Sequence, residues 1–127
     1  KPTQKERESA VHLKLSVLSS VVKGKRLVLI DDSIVRGTTM ASLIRMLKDA
    51  GATEVHVRIS SPPFLFPCYY GTDVPSNDQL IASSHTAAEI CASIGADSLG
   101  YMKLEDLKQM TGDLPLCKAC FDSHYPV

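Results

Sequence analysis

A chain of 127 residues, 44% of them hydrophobic, has enough apolar material for one packed core, which excludes a disordered tail. Fourteen basic and fourteen acidic residues cancel, so no overall field recommends nucleic acid or an anionic membrane as the partner. No apolar run approaches transmembrane length, and Lys1-Pro2-Thr3-Gln4-Lys5-Glu6-Arg7 carries no apolar signal core, which points to a cytoplasmic setting.

Thr3 with Glu6 makes a capping-box pattern, and Val11, Leu15, Leu18 and Val22 recur at helical spacing, predicting a first helix that ends before Gly24. Leu27 to Ile30 is a continuous aliphatic run, as in a parallel strand covered on both faces, so Asp31 and Asp32 fall where the strand leaves the core. A second helix follows, with Met40, Leu43, Ile44 and Leu47 as its buried stripe, Thr38 or Thr39 as its cap and Gly51 as its terminator. Val55, Val57 and Ile59 alternate as a second strand. Strand, helix and strand in this order make a parallel crossover, so the fold class is α/β.

Pro62, Pro63, Pro67, Gly71 and Pro75 then mark a long loop with rigid bends, a candidate functional loop. Thr86 and Glu89 suggest another cap, with Ala87, Ile90, Cys91 and Ile94 on one face of a third helix that stops at Gly95. Ser98 to Met102 reads as a short strand and Lys103 to Met110 as a short helix. The division expected is one domain over 1–112 and a cysteine-containing polar tail over 113–127 that packs on it.

The chemistry concentrates in Asp31-Asp32-Ser33-Ile34-Val35-Arg36-Gly37-Thr38-Thr39. Ligands of open α/β sheets bind at the carboxyl ends of strands. Gly37 permits close backbone approach, and the start of the following helix offers N–H groups and a positive end to a phosphate. The two carboxylates suit the other end of such a ligand, because they accept hydrogen bonds from vicinal hydroxyls and attract magnesium. The bland alternative is a solvated turn at a strand end, and Arg36 reads equally as a phosphate partner or a surface charge.

Cys117 and Cys120 form a Cys-x-x-Cys pair in an irregular segment, with Cys68 the natural third ligand of one metal centre. Cys91 sits on the apolar stripe of the third helix as a small hydrophobe. A zinc ion, a disulfide and plain thiols are the alternatives for the first three, and a cytoplasmic setting disfavours the disulfide. His56 alternates with the strand's apolar residues and so faces away from them, His85 precedes a helix start and reads as a capping or solvent residue with ligand contact as the alternative, and Tyr69 and Tyr70 either pack the cysteine loop or line a nucleotide pocket.

The acid-pair stretch resembles the phosphoribosyl pyrophosphate-binding motif of the type I phosphoribosyltransferases. The likeness to the glutamine-dependent amidotransferases of that family extends over Pro2-Thr3-Gln4, Gly51-Ala52-Thr53-Glu54-Val55-His56, Ser60-Ser61-Pro62-Pro63, Pro67-Cys68-Tyr69-Tyr70-Gly71, Leu80-Ile81-Ala82, Ile94-Gly95-Ala96-Asp97 and Cys117-Lys118-Ala119-Cys120-Phe121. The resemblance implies a parallel sheet flanked by helices and an enzyme that displaces pyrophosphate from the sugar with glutamine-derived ammonia, forming 5-phosphoribosylamine at the entry to purine synthesis. It implies that Asp31 and Asp32 hold the ribose hydroxyls and Mg2+, acting as the catalytic carboxylates. Ser33, Val35, Arg36, Gly37, Thr38 and Thr39 would bind substrate, those from Val35 on the 5′-phosphate. It also implies a [4Fe-4S] cluster on Cys68, Cys117 and Cys120, with a fourth cysteine upstream of Lys1. Purine nucleotides as feedback inhibitors and a homo-oligomer are implied likewise.

The chain lacks an initiator methionine, and by the resemblance the glutaminase domain, the first part of the transferase domain and a flexible loop precede Lys1. The expectation is therefore a carboxy-terminal fragment, inactive in isolation. A phosphoribosyltransferase-like regulator that binds the same ligand without catalysis is the competing reading, although no basic face or recognition helix supports it.

Overall fold

A computed structural model of the chain describes residues 3, 19–74 and 76–126. The predicted first helix lies largely outside the described residues; 19–22 are helical, and the turn closes at Gly24, which has a positive φ of 73°. Strand β1 (Arg26–Asp31) follows, then helix α1 (Thr38–Asp49) and strand β2 (Glu54–Ile59). Beyond β2 the chain runs irregularly to a 3-10 turn at Asn77–Gln79 and the one-turn helix α2 (Ile81–Ser84). Helix α3 (Ala87–Ile94), strand β3 (Ser98–Tyr101), helix α4 (Leu104–Met110) and the one-turn helix α5 (Ala119–Asp122) complete it.

The three strands form one parallel sheet in the order β1-β2-β3. Arg26 pairs with Glu54 through to Asp31 with Ile59, and His56 pairs with Ser98 through to Ile59 with Tyr101. The α/β class read from the sequence is thus the observed one. Val55, Val57 and Ile59 turn one face of β2 into the core, where Met40, Ile44 and Leu47 of α1 and Ile90 and Ile94 of α3 meet them. This is the 3.6-residue stripe packing on the two-residue alternation that the sequence displays.

One expectation fails on the opposite face. Leu27 to Ile30 reads as a strand covered on both sides, but Val28 is 65% and Ile30 74% exposed. Among the described residues the helices pack on one face only, and β1 is an edge strand, so the alternate side chains of the aliphatic run have nothing against them. His56 and Arg58, in register with Val28 and Ile30, share that face, as the alternation predicts for His56. There the His56 Nδ1 lies 2.7 Å from the Ser98 hydroxyl and its Nε2 2.7 Å from Glu54.

Helix α1 ends where Gly51 predicts. The Gly51 and Ala52 N–H groups turn back to the carbonyls of Lys48 and Leu47 at 3.0 and 3.1 Å, and Gly51 takes φ 106°. A side chain at Gly51 would also meet the Lys23 backbone, 3.2 Å from the Cβ position. Helix α3 is capped by Thr86, whose hydroxyl accepts the Glu89 N–H at 3.2 Å, and stops at Gly95 in the left-handed region.

Candidate functional site

The acid pair stands at the carboxyl end of β1, as its place after the aliphatic run requires. The Asp31 carbonyl accepts the Ser60 N–H at 3.0 Å, fastening the end of β1 to the residue that follows β2. The Asp31 carboxylate accepts the Asp32 N–H at 2.8 Å, and the Ser33 hydroxyl donates to the Asp32 carboxylate at 3.1 Å. Both acids are exposed. The loop behind them is short and pinned at both ends, because Ile34 is 3% and Met40 4% exposed in the core.

The threonine cap is replaced. Gly37 is the N-cap, in the left-handed region at φ 83°, and no side chain caps the helix; Thr38 and Thr39 are its first residues. The physical reason is the reversal between Ile34 and Met40, which demands a positive φ at 37 that only glycine adopts without strain. A Cβ at Gly37 would in addition lie 3.2 Å from Ile81 Cδ1. Without a capping side chain, the first N–H groups of α1 are left for a ligand.

A cavity of about 460 Å³ opens at this point, lined by Asp31, by Ser33 through Met40, and by Asp73. Every residue of the motif reaches it except Asp32, which stands beside it. Asp73 is a carboxylate that sequence reading missed: it arrives from the long loop after β2, whose path no periodicity encodes. A second cavity of about 340 Å³, with Arg36, Gln79, Ile81 and His85 in its wall, adjoins the first through Arg36. His85 is turned back on its own chain, its Nδ1 2.9 Å from the Ser84 hydroxyl and 3.2 Å from the Ile81 carbonyl.

The cysteines form a separate region. The Leu65 and Phe66 N–H groups donate to the Cys120 carbonyl at 2.9 and 3.1 Å, Phe64 and Phe121 meet at 5.2 Å between ring centres, and the Tyr125 hydroxyl donates to the Pro67 carbonyl at 2.9 Å. Tyr69 packs on Tyr125 at 5.0 Å, so Tyr69 belongs to the cysteine loop. The Tyr70 N–H donates to Cys68 Sγ at 3.5 Å and holds that thiol below its ordinary pKa, whereas burial pushes the Cys120 thiol up, with Cys68 and Cys117 adding repulsion. Cys68, Cys117 and Cys120 are therefore electrostatic neighbours. Among the described residues, however, no three His, Cys, Asp or Glu side chains converge as a metal site. Cys91 stands apart, its S–H donating to the Ala96 carbonyl at 3.3 Å.

The phosphoribosyl transferase domain family matches residues 1–60, the segment that carries the acid pair and the loop from Ser33 to Gly37 that follows it. The amidophosphoribosyltransferase of Methanocaldococcus jannaschii is 53% identical over 98% of this chain and 26% of its own length, and that of Synechocystis sp. is 51% identical over 99% and 26%. The solved glutamine phosphoribosylpyrophosphate amidotransferase from B. subtilis, complexed with ADP and GMP, superposes with a TM-score of 0.81 at 45% identity, covering 99% of this chain and 29% of that one. No helix among the described residues is long and apolar enough to cross a membrane. The chain spans about a quarter of the length of these relatives and is about half identical to them over nearly all of its own length.

Proposed function

We propose that this chain is a carboxy-terminal part of the phosphoribosyltransferase unit of a cytoplasmic enzyme that passes glutamine-derived ammonia to phosphoribosyl pyrophosphate, releasing pyrophosphate and forming 5-phosphoribosylamine, the first step of purine biosynthesis. Residues 1–112 would be the transferase portion and 113–127 a tail packed on it. The observation that carries the reading is the single cavity shared by Asp31 and the uncapped start of α1, in a chain about half identical to curated amidophosphoribosyltransferases.

The 5′-phosphate sits on the N–H groups and hydroxyls of Val35 through Thr39, with Ser33 and Arg36 at the edge of the same cavity. Asp31 and Asp32 accept hydrogen bonds from the ribose hydroxyls, which fixes the sugar's first carbon for in-line attack. As pyrophosphate departs that carbon gains cationic character, and the adjacent carboxylates stabilise it. Two exposed carboxylates beside a phosphate cradle fit Mg2+, which usually takes one or two carboxylates plus substrate phosphates. When bound, the ion neutralises charge on the leaving pyrophosphate. Displacement of pyrophosphate by ammonia needs no nucleophile from the protein, so positioning and charge carry the catalysis.

Three neighbouring thiols match the ligand type of a [4Fe-4S] cluster, but they do not converge in the described conformation. Cys68, Cys117 and Cys120 would hold such a cluster only in the longer protein, with a further ligand from it, and no step of the transfer depends on it. Purine nucleotides carry the same ribose and phosphate as the substrate, so feedback inhibition through the cradle follows, within a homo-oligomer. Calorimetric titration of the complete protein with phosphoribosyl pyrophosphate and Mg2+, beside a folded Asp31→Asn, Asp32→Asn variant, tests the reading. Saturable binding lost in the variant supports it, and equal binding by both overturns it.

A further inference from the structure

The cradle loop does not hold its shape alone. The Ile81 N–H donates to the Val35 carbonyl at 2.9 Å, and the Arg36 guanidinium donates to the side-chain oxygen of Gln79. Ile81 Cδ1 also backs Gly37, at the distance where a Cβ would already press on it. All three contacts come from one stretch, 79–81, more than forty residues further along the chain.

That stretch is itself anchored. Leu80 is 1% exposed, its N–H donates to the Asn77 carbonyl at 3.0 Å, and the Ser83 hydroxyl donates to the same carbonyl at 2.9 Å. Gln79 is half-buried beside it, whereas Arg36 is exposed and forms no ion pair with a carboxylate among the described residues. An exposed arginine has many rotamers, and a ligand that needs one of them must supply the ordering free energy. Fixing the guanidinium beforehand, on an element rooted in the core, removes that cost.

We infer that Gln79 is a positioning residue for the phosphate cradle: it holds Arg36 at the cavity wall and, with the Ile81 N–H, keeps loop 33–37 in its anion-binding form before the ligand arrives. The inference rests on the phosphoribosyl pyrophosphate reading for its substrate, but not for its loop.

The test uses the complete enzyme with Gln79→Leu, which keeps bulk and removes the acceptor, and Gln79→Glu, which keeps an acceptor. Gln79→Leu should raise KM for phosphoribosyl pyrophosphate about five- to tenfold with kcat within about twofold, the size of one lost hydrogen bond. Gln79→Glu should stay within about twofold of the wild type in both. In the ligand-free protein, amide hydrogen exchange at 33–39 should quicken in Gln79→Leu and not in Gln79→Glu. Combined with Arg36→Ala, the leucine variant should add no further loss. An unchanged KM and exchange in Gln79→Leu, or equal impairment of both variants, overturns the inference. A wild-type enzyme that neither binds nor consumes phosphoribosyl pyrophosphate overturns the functional reading instead, and the exchange comparison then decides the loop brace by itself.

Discussion

Two neighbouring strands, β1 and β2, end side by side, and each is followed by an irregular loop, but the loops are held by different physics. The first returns to a helix by residue 38, with Ile34 and Met40 in the core on either side of it and a glycine at its one left-handed position. The second runs past residue 70 before any helical turn, anchored late by Val74 and Leu80 and steadied midway by ring contacts and hydrogen bonds from the far end of the chain. The first loop is thus fixed by core anchors, a glycine and the contacts from 79–81, while the second is fixed by ring contacts and hydrogen bonds with the tail. Binding that needs geometry within a fraction of an ångström is better placed on the first kind.

The comparison is broken most severely at the acids. On the proposed function, Asp31→Asn with Asp32→Asn should lower turnover of the complete enzyme about 10²–10³-fold, because the charge that would face the reacting sugar is lost. The melting temperature should shift by less than about 2 °C, since exposed carboxylates support little of the fold. Parallel losses in steady-state rate and thermal stability would make the acids structural. Next in size, Gly37→Val forces a side chain into φ 83° and against Ile81, which should cost about 1–3 kcal/mol and weaken ligand affinity with it. Denaturant unfolding beside calorimetric titration checks both halves.

Phe121→Ala sharpens the other side. Removing the ring partner of Phe64 should cost about 0.5–1.5 kcal/mol, with hydrogen exchange rising at 64–68 and unchanged at 33–39. Exchange that rises in both loops would mean that they are one cooperative unit. The smallest effect concerns acid. The Val55 N–H, at 2.7 Å, and then Lys48, at 3.3 Å, hold the Asp97 carboxyl below the usual carboxylate value. Its contribution is present above the unfolded value of roughly 3.9 and is lost as pH falls through the lowered folded value. Asp97→Asn should therefore flatten the acid limb of a stability-against-pH curve, and an unaltered slope there would show that the exposed contact contributes nothing.

Much of this was legible because periodic burial leaves a periodic trace. Met40, Ile44 and Leu47 betray α1, Val55, Val57 and Ile59 betray β2, and Gly51 and Gly95 mark their helix ends, since each of these choices is forced locally. The one-turn helices Ile81–Ser84 and Ala119–Asp122 were missed, for four residues carry no repeat. The exposure of Val28 and Ile30 was missed for another reason: an aliphatic run states that a side chain is apolar, not which neighbours are present to cover it. In the cradle the residue types were readable, as was the place of the acids at a strand end. Asp73 and Gln79 were not, because they are brought to it by loop paths that only tertiary packing decides.

The parallel order of the sheet has a kinetic consequence. Residue 26 pairs with 54 and residue 56 with 98, so no strand can zip onto its predecessor through a tight hairpin. Each pairing must close a long excursion of chain before it gains a contact, and loop-closure entropy is met before the ladder rewards it. Assembly of such a sheet belongs on the millisecond-to-second scale of non-local topologies rather than the microseconds of helical bundles. Until the second closure occurs, β2 presents an unpaired edge, with Val55, Val57 and Ile59 alternating with polar side chains, to any other chain in reach.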